Sequence, residues 1–198
     1  MEVTSKYKFS YNQFINWVRQ LVNNKATSGN NQSDTLIDFT ALNLKRMERI
    51  EKTITLNNEL LNALKATQKQ KWIVITEAWC GDSAQILPII GLMAQASNNN
   101  IELEIILRDE NPEWINNYLT NGSKSIPKLI SRNIDNEDIF VWGPRPAEAQ
   151  KIVVNWKEGT NGKNWYEMET ELHGWYAKDK AKSIMFEIFN LLKQLPER

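Results

Sequence analysis

The sequence predicts an α/β fold in which a central mixed sheet carries helices on its faces. Two short runs of mostly β-branched and aliphatic residues, 72–76 and 101–107, are typical of buried strands. A helical pattern follows each run, and two further strand-like segments, 128–131 and 138–142, flank the turn-forming residues 132–137. The order β-α-β-α-β-β is that of a mixed sheet with helices on both faces.

Residues 1–70 are predicted to form a helical N-terminal extension that packs on this core. Apolar residues recur at three- and four-residue intervals on either side of residues 23–33, a stretch of mostly Asn, Ser, Thr and Gly that is expected to be an exposed loop. Composition is equally compatible with helices that cover a sheet edge and with helices that form an interface. A basic stripe, interrupted by glutamates, is better explained as a solvated helix face than as a site for RNA or an acidic partner; it consists of Lys45, Arg46, Arg49 and Lys52.

Residues 71–198 are predicted to form one α/β domain with an extended helical C-terminus. A helix is expected from residue 80 to about residue 96, and Pro112 opens a second helix that runs to residue 119. After the hairpin, residues 147–157 and 165–195 are each predicted as one helix, with a break at residues 159–162. The two regions, 1–70 and 71–198, are expected to form one compact unit.

Charge and cysteine content exclude several classes of site. The chain has 198 residues, 24 basic and 24 acidic side chains, one Cys and one His. A single Cys excludes an intrachain disulfide, and one Cys with one His cannot fill a tetrahedral zinc or Fe–S site, so no metal and no cofactor are predicted. A formal charge of zero provides no general field for binding nucleic acid or an anionic membrane.

The chain start lacks the apolar segment and small-residue cleavage site of an export signal. The longest apolar stretches are interrupted by Pro or Gly and fall well short of the roughly 20 residues that span a bilayer. We therefore expect a cytoplasmic protein without membrane segments, whose thiol stays reduced.

The one cysteine lies where a predicted buried strand meets a predicted helix. A helix N-terminus offers free N–H groups and a positive dipole end, which both stabilise a thiolate. This position favours a reactive Cys80, although a buried and inert cysteine is the more common case when no other signal is present.

The surrounding residues supply such a signal. Trp79-Cys80-Gly81, with Pro88 further along the helix and Ile126-Pro127 before the third strand, resembles the active-site pattern of thioredoxins. The resemblance implies a three-layer thioredoxin-like fold with a cis Pro127 that faces the substrate. The whole chain is also similar to bacterial thioredoxin-family proteins that carry a helical N-terminal extension and a Gly-x-Arg-Pro segment after the hairpin.

Departures from that pattern limit the chemistry. Ser83 stands where thioredoxins have the second cysteine, so Cys80 can form a mixed disulfide that only an external thiol can resolve. Asp82 adds a negative charge that makes the thiol less acidic. The buried acid of the preceding strand is replaced by Val74, and Glu77 is more readily explained as an exposed loop carboxylate than as a substitute base.

Two functions follow from these residues. In the first, a thiol-disulfide exchange protein uses Cys80 as nucleophile and Ser83 as hydroxyl donor, while Trp79, Gly81, Asp82, Ile126 and Pro127 form the binding surface. Its partner would be a protein or a low-molecular-weight thiol or disulfide, with no nucleic acid or membrane involved. In the second, the chain is a non-catalytic module that binds an extended peptide or a protein.

Two further residues, Arg145 and His173, are considered as candidates for binding or catalysis. Arg145 could bind a carboxylate or phosphate, or form an ion pair that anchors its own loop. His173 is expected at the surface or at a helix cap rather than at the thiol.

Overall fold

The centre of the protein is a five-stranded mixed sheet. A computed structural model describes residues 7–194 of the chain. The strands of this part are β1 Lys8–Phe9, β2 Gln70–Thr76, β3 Ile101–Leu107, β4 Lys128–Arg132 and β5 Asp138–Trp142. Their order in the sheet is β1-β3-β2-β4-β5, with β2 and β3 parallel and the other neighbours antiparallel. The predicted α/β class with a mixed sheet is confirmed.

Eight helices accompany the sheet within residues 7–194. They are α1 Tyr11–Asn23, α2 Asp34–Thr53, α3 Asn58–Ala66, α4 Gly81–Ala96, α5 Pro112–Asn117, α6 Ala147–Lys157, α7 Trp165–Asp179 and α8 Lys182–Lys193. Capping residues determine where several of these helices begin. Ser10 with Gln13 and Asn164 with Glu167 form reciprocal capping boxes, and Asn57 caps α3.

Side-chain alternation along β2 divides the core into two layers. Trp72 and Val74 belong to the larger apolar cluster, which includes residues of α4 and of both terminal regions. Ile73 and Ile75 point to the other face, where they pack with Cys80 and with Trp114 of α5. Because both faces of β2 are covered, the strand is buried along almost its whole length, and its centre, residues 72–75, is entirely apolar.

The N-terminal region differs from its prediction in three ways. Strand β1 was not predicted, since two residues carry no periodicity; Lys8 pairs with Ile106 at the sheet edge. The helical pattern after residue 33 is divided into α2 and α3 by the Asn57 cap. The 23–33 loop is not fully exposed either, because Thr27 and Ser28 are buried.

The C-terminal region also departs from the prediction of one helix over residues 165–195. The helix breaks at Lys180 and Ala181, which both adopt the left-handed conformation with φ of 52° and 61°. The Asp179 carboxylate accepts hydrogen bonds from the backbone N–H and the hydroxyl of Ser183, and these bonds hold the start of α8. Leu195 lies outside the described residues. No helix of the described part combines the length and the apolar run that a bilayer requires.

Candidate functional site

The candidate site forms at the turn from β2 to α4. Cys80 is the N-cap of α4, with a side chain that is 8% exposed. Its Sγ lies 3.5 Å from the carbonyl oxygen of Ile126 and donates a hydrogen bond to it. The Ile126–Pro127 peptide bond that follows is cis. The structure thus brings Cys80 together with Ile126 and Pro127, the nearer of which is 46 residues away in sequence.

Burial dominates the acidity of the thiol. Burial and, second to it, the neighbouring Asp82 charge raise the pKa of Cys80 to about 11, against the opposing effect of hydrogen bonding from Ser83. The Ser83 hydroxyl oxygen accepts a 2.6 Å hydrogen bond from Thr76 and is itself buried. The positive end of α4 therefore does not suffice to hold the resting thiol as a thiolate.

Trp79 forms the partly exposed flank of the site. Its ring packs against the cluster that contains Cys80. The guanidinium of Arg108 lies 4.8 Å from the ring centroid and also forms an ion pair with Asp109 at 2.8 Å. An aromatic surface of this kind beside a sulfur atom suits apolar contact with a bound chain.

Asp82 does not face the expected binding surface. It is buried, and its carboxylate oxygens lie 2.6 Å from Arg145 Nη2 and 2.8 Å from the Tyr176 hydroxyl, which donates to it. Burial raises the pKa of Asp82, while Arg145 and Tyr176 lower it. Of the two roles considered for Arg145, the structure shows the ion pair.

The prediction that Glu77 is an exposed carboxylate is wrong. Its side chain is 1% exposed. It accepts hydrogen bonds from the Ser28 hydroxyl and, at 2.9 Å, from the backbone N–H of Asp109. Ser28 in turn accepts a 2.9 Å bond from the backbone N–H of Ala78. Burial raises the pKa of Glu77. Glu77 therefore ties the 23–33 loop to the Cys80 turn.

The N-terminal extension supplies two further residues that sequence reasoning missed at this site. Asn43 Nδ2 donates to the carbonyl of Ala78 at 3.1 Å, and its side-chain oxygen accepts from Arg46 Nη1 at 3.0 Å. A Cβ placed on Gly81 would lie 3.4 Å from Arg46 Nη1. Helix α2 therefore reaches the first turn of α4, and the basic stripe is not entirely a solvated face.

His173 lies beside α4 rather than at the surface. A Cβ on Gly81 would lie 2.8 Å from His173 Nε2, which explains why glycine fits there. The histidine Nδ1 is 3.1 Å from Gln85 Nε2, and Nε2 is 3.2 Å from the Glu169 carboxylate. The expected surface or capping position is therefore wrong. The sequence does contain a signal for this position: Glu169 precedes His173 by four residues on the same helix, a spacing that predicts contact between an acid and the imidazole ring.

The wall behind Pro127 is formed by the segment that begins at Gly143. This glycine has φ of +108°, and a Cβ there would collide with the carbonyl oxygen of Pro127. Lys128 donates to the Gly143 carbonyl at 3.0 Å and to Thr120 Oγ1 at 2.5 Å. Its amine is buried, which lowers the pKa of Lys128 to about 8. The hydrogen bond from Lys128 to Gly143 thus joins the segment that carries Pro127 to the segment that carries Arg145.

The arrangement offers one sulfur nucleophile and a polar frame. Within residues 7–194, no group of three or more His, Cys, Asp and Glu side chains is placed to hold a metal ion. The chemistry that these residues could themselves provide is attack by sulfur, beside the backbone carbonyl of Ile126.

Known proteins give two kinds of similarity. A family profile described as thioredoxin matches residues 29–161, a range that begins in the loop before α2. A crystal structure of a protein of unknown function from Pseudomonas aeruginosa is similar over 94% of this chain and 98% of its own, with 16% identity and a TM-score of 0.56. An HIV epitope scaffold is similar over 90% and 98%, with 15% identity and the same TM-score. At these identities the two structures support the fold alone. No curated protein matches the chain.

Proposed function

The chain belongs to the thioredoxin family, and on this premise we propose that it is a single-thiol exchange protein whose Cys80 forms mixed disulfides that an external thiol resolves. One observation carries the proposal. Cys80 Sγ lies 3.5 Å from the carbonyl of Ile126, at the edge where an extended chain can pair with backbone groups.

The exchange proceeds by two substitutions at sulfur. In the first, Cys80 loses its proton to solvent and attacks a disulfide RS–SR, forming Cys80–S–S–R and releasing RS⁻, which takes up a proton. In the second, an external thiolate attacks the R sulfur and releases Cys80. The external thiol supplies the electrons, because Ser83 has no sulfur to offer.

The raised pKa of Cys80 gives this cycle a particular character. With a pKa of about 11, only about one thousandth of the thiol is ionised at pH 8, so the first attack is slow. The same pKa makes Cys80 a poor leaving group in the second step. We therefore expect mixed disulfides that persist, unlike those of a dithiol enzyme.

Burial of the thiol also favours a second candidate function. A module that only binds an extended peptide or a protein at the Ile126–Pro127 edge has no need of an acidic thiol. In that case Trp79 and the backbone of Ile126 would carry the binding, and Cys80 would contribute only packing.

Mass spectrometry separates the two functions. The reduced protein would be incubated with hydroxyethyl disulfide, and the adduct at Cys80 would be followed over time before and after addition of a small thiol. We expect an adduct that forms slowly and persists until the external thiol is added. Ser83→Cys provides a second sulfur, so its adduct should convert to an internal disulfide, whereas Cys80→Ser should give no adduct.

The absence of an adduct on the folded wild-type protein would contradict the exchange function. It would leave the binding module, for which the Cys80→Ser variant should retain full affinity for a peptide partner.

A further inference from the structure

A cavity of about 310 Å³ opens between helices α2, α4, α7 and α8, and neither Cys80 nor the Ile126–Pro127 edge lines it. Its inner wall consists of buried aliphatic side chains: Ile50, Ala181 and Ile184. The volume falls at the lower end of the range of small-molecule sites, roughly 300–1,000 Å³, which are mostly apolar with a few polar groups. The described residues that line the cavity include no Asp or Glu. The cavity therefore has the size and lining of a site for a small and mainly apolar molecule.

Two cations lie at the exposed rim of this cavity. Arg49 of α2 and Lys180, which follows α7, both line it and are both exposed. Within residues 7–194 neither side chain forms an ion pair or donates a hydrogen bond. Asp179, the acid next to Lys180, already accepts hydrogen bonds from Ser183. An anion at the rim would therefore meet two positive charges without having to displace an existing ion pair.

The backbone departs from helical geometry at the same rim. Lys180 and Ala181 adopt the left-handed conformation, with φ of 52° and 61°, although neither residue is Gly or Asn. A residue with a Cβ is disfavoured in this conformation, and such residues concentrate at functional sites, where the surrounding structure enforces them. Both residues line the cavity. The break between α7 and α8 therefore supplies one cation to the rim and one methyl group to the wall.

The polar groups that line the cavity already have protein partners. The Tyr176 hydroxyl donates to Asp82 at 2.8 Å, and Gln85 Nε2 lies 3.1 Å from His173 Nδ1. A charged group deep in the cavity would lose its hydration without gaining a new partner, which is unfavourable. The apolar part of a ligand is therefore expected inside the cavity, and its charged group is expected at the rim.

We propose that this cavity binds a small organic acid, whose apolar body lies against Ile50 and Ile184 and whose carboxylate pairs with Arg49 and Lys180. Removal of the apolar body from water provides most of the affinity, and the two cations select a negatively charged head group. The site does not use the sulfur of Cys80, so the Cys80→Ser variant should bind the same ligands with wild-type affinity.

Three ligands with the same eight-carbon chain and different head groups test this selection. Octanoate, octanol and octylammonium would each be titrated into the full-length protein by isothermal titration calorimetry at low salt. We expect octanoate to bind roughly tenfold more tightly than octanol, and octylammonium to bind most weakly. Because the two cations are exposed, about 0.5 M NaCl should narrow the difference between octanoate and octylammonium.

Variants assign the selection to this cavity. Arg49→Gln and Lys180→Asn each remove one charge, and asparagine tolerates the left-handed conformation. Each should weaken octanoate binding about threefold and leave octanol binding unchanged. Lys178→Gln removes an exposed cation of α7 that does not line the cavity, so it should change neither. Ala177→Phe places a ring at the exposed rim and should weaken all three ligands. Circular dichroism would establish that each variant is folded.

The possible outcomes either support or overturn this inference. Equal affinities for octanoate and octylammonium, or an octanoate affinity that neither charge variant changes, would overturn the selection of an anion. Binding that Ala177→Phe does not weaken would lie elsewhere on the protein, and it would overturn the site, as would the absence of binding by all three ligands. None of these results bears on the exchange function, which is measured by the adduct at Cys80.

Discussion

Two buried carboxylates lie on either side of Cys80, and their partners differ. Glu77, three residues before the thiol, is held by neutral donors: the Ser28 hydroxyl and a backbone N–H of the loop after β3. Asp82, two residues after the thiol, faces the Arg145 guanidinium and the Tyr176 hydroxyl. Both are almost completely removed from solvent.

The difference indicates which acid can act on the thiol. Asp82 is the main charge that raises the pKa of Cys80, and Arg145 partly offsets it. The carboxylate of Glu77 accepts its hydrogen bonds from the 23–33 loop and from Asp109. We interpret Glu77 as a structural tie and Asp82 as the electrostatic neighbour of the reaction centre. Four changes test this contrast, beginning with the largest expected effect.

Removing the cation from Asp82 should be the most damaging change. Arg145→Met leaves a buried carboxylate without its ion-pair partner, and we expect the free energy of unfolding to fall by about 3–5 kcal/mol. Urea denaturation measures the loss. The double variant Asp82→Asn, Arg145→Met should recover most of it, and Lys151→Met, which breaks an exposed pair, should change little. A loss below about 1 kcal/mol for Arg145→Met would contradict the importance of this pair.

Removing the neutral donor from Glu77 should cost less. Ser28→Ala leaves the Glu77 carboxylate and the backbone N–H of Ala78 each without one partner, for which we expect a loss of about 1–3 kcal/mol. The matched control is Ser33→Ala in the same loop, because Ser33 forms no side-chain cap bond. Equal urea midpoints for the two variants would contradict the idea that the hydrogen bond between Ser28 and Glu77 stabilises the protein.

The two acids should affect the thiol unequally. Asp82→Asn removes a charge that raises the pKa of Cys80, so the rate of alkylation at pH 8 should increase about tenfold for each unit by which the pKa falls. Glu77→Gln should leave the rate unchanged. The measurement is a pH profile of alkylation for the three proteins. A similar increase in both variants would mean that the thiol responds to loosened packing rather than to charge.

The smallest expected effect is a change in how stability depends on pH. Because burial raises the pKa of Glu77, the folded chain keeps a proton that the unfolded chain has already released. The stabilisation by this group is complete below about pH 4.3 and is lost as the pH rises through the raised value. Glu77→Gln should flatten this decline when urea midpoints are compared between pH 4 and pH 7. If stability declines with pH as steeply in Glu77→Gln as in the wild-type protein, a group other than Glu77 is responsible for the decline.

Local patterns in the sequence were sufficient for most of the α/β core. Strands β3 and β5 have the predicted bounds, and α4 starts one residue after its predicted position, because hydrophobic periodicity and Pro or Gly breaks are properties of neighbouring residues. Cys80 and Pro127 were identified by their family pattern.

The polar residues that surround Cys80 were harder to predict from the sequence. Ser28 and Glu77 are 49 residues apart, and Asp82 and Tyr176 are 94 apart. Their polar residue types are those of ordinary loops and helix surfaces, which is why the 23–33 loop and Glu77 were expected to be exposed. Burial of a polar residue depends on a partner that only the folded chain provides.

The partners of the two acids also differ in when they are synthesised. Ser28 precedes Glu77, and Asp109 follows it closely, so the Glu77 tie can close early on a chain that grows from its N-terminus. Asp82 waits for Arg145 and Tyr176, the second of which is made when the chain is nearly complete. Until then the turn that bears Cys80 has a carboxylate without its cation, and helix α7 has not yet come to lie beside Gly81. A ribosome-bound intermediate would therefore carry the buried acid of this turn without its partners, and misfolding or capture by chaperones would fall within this interval.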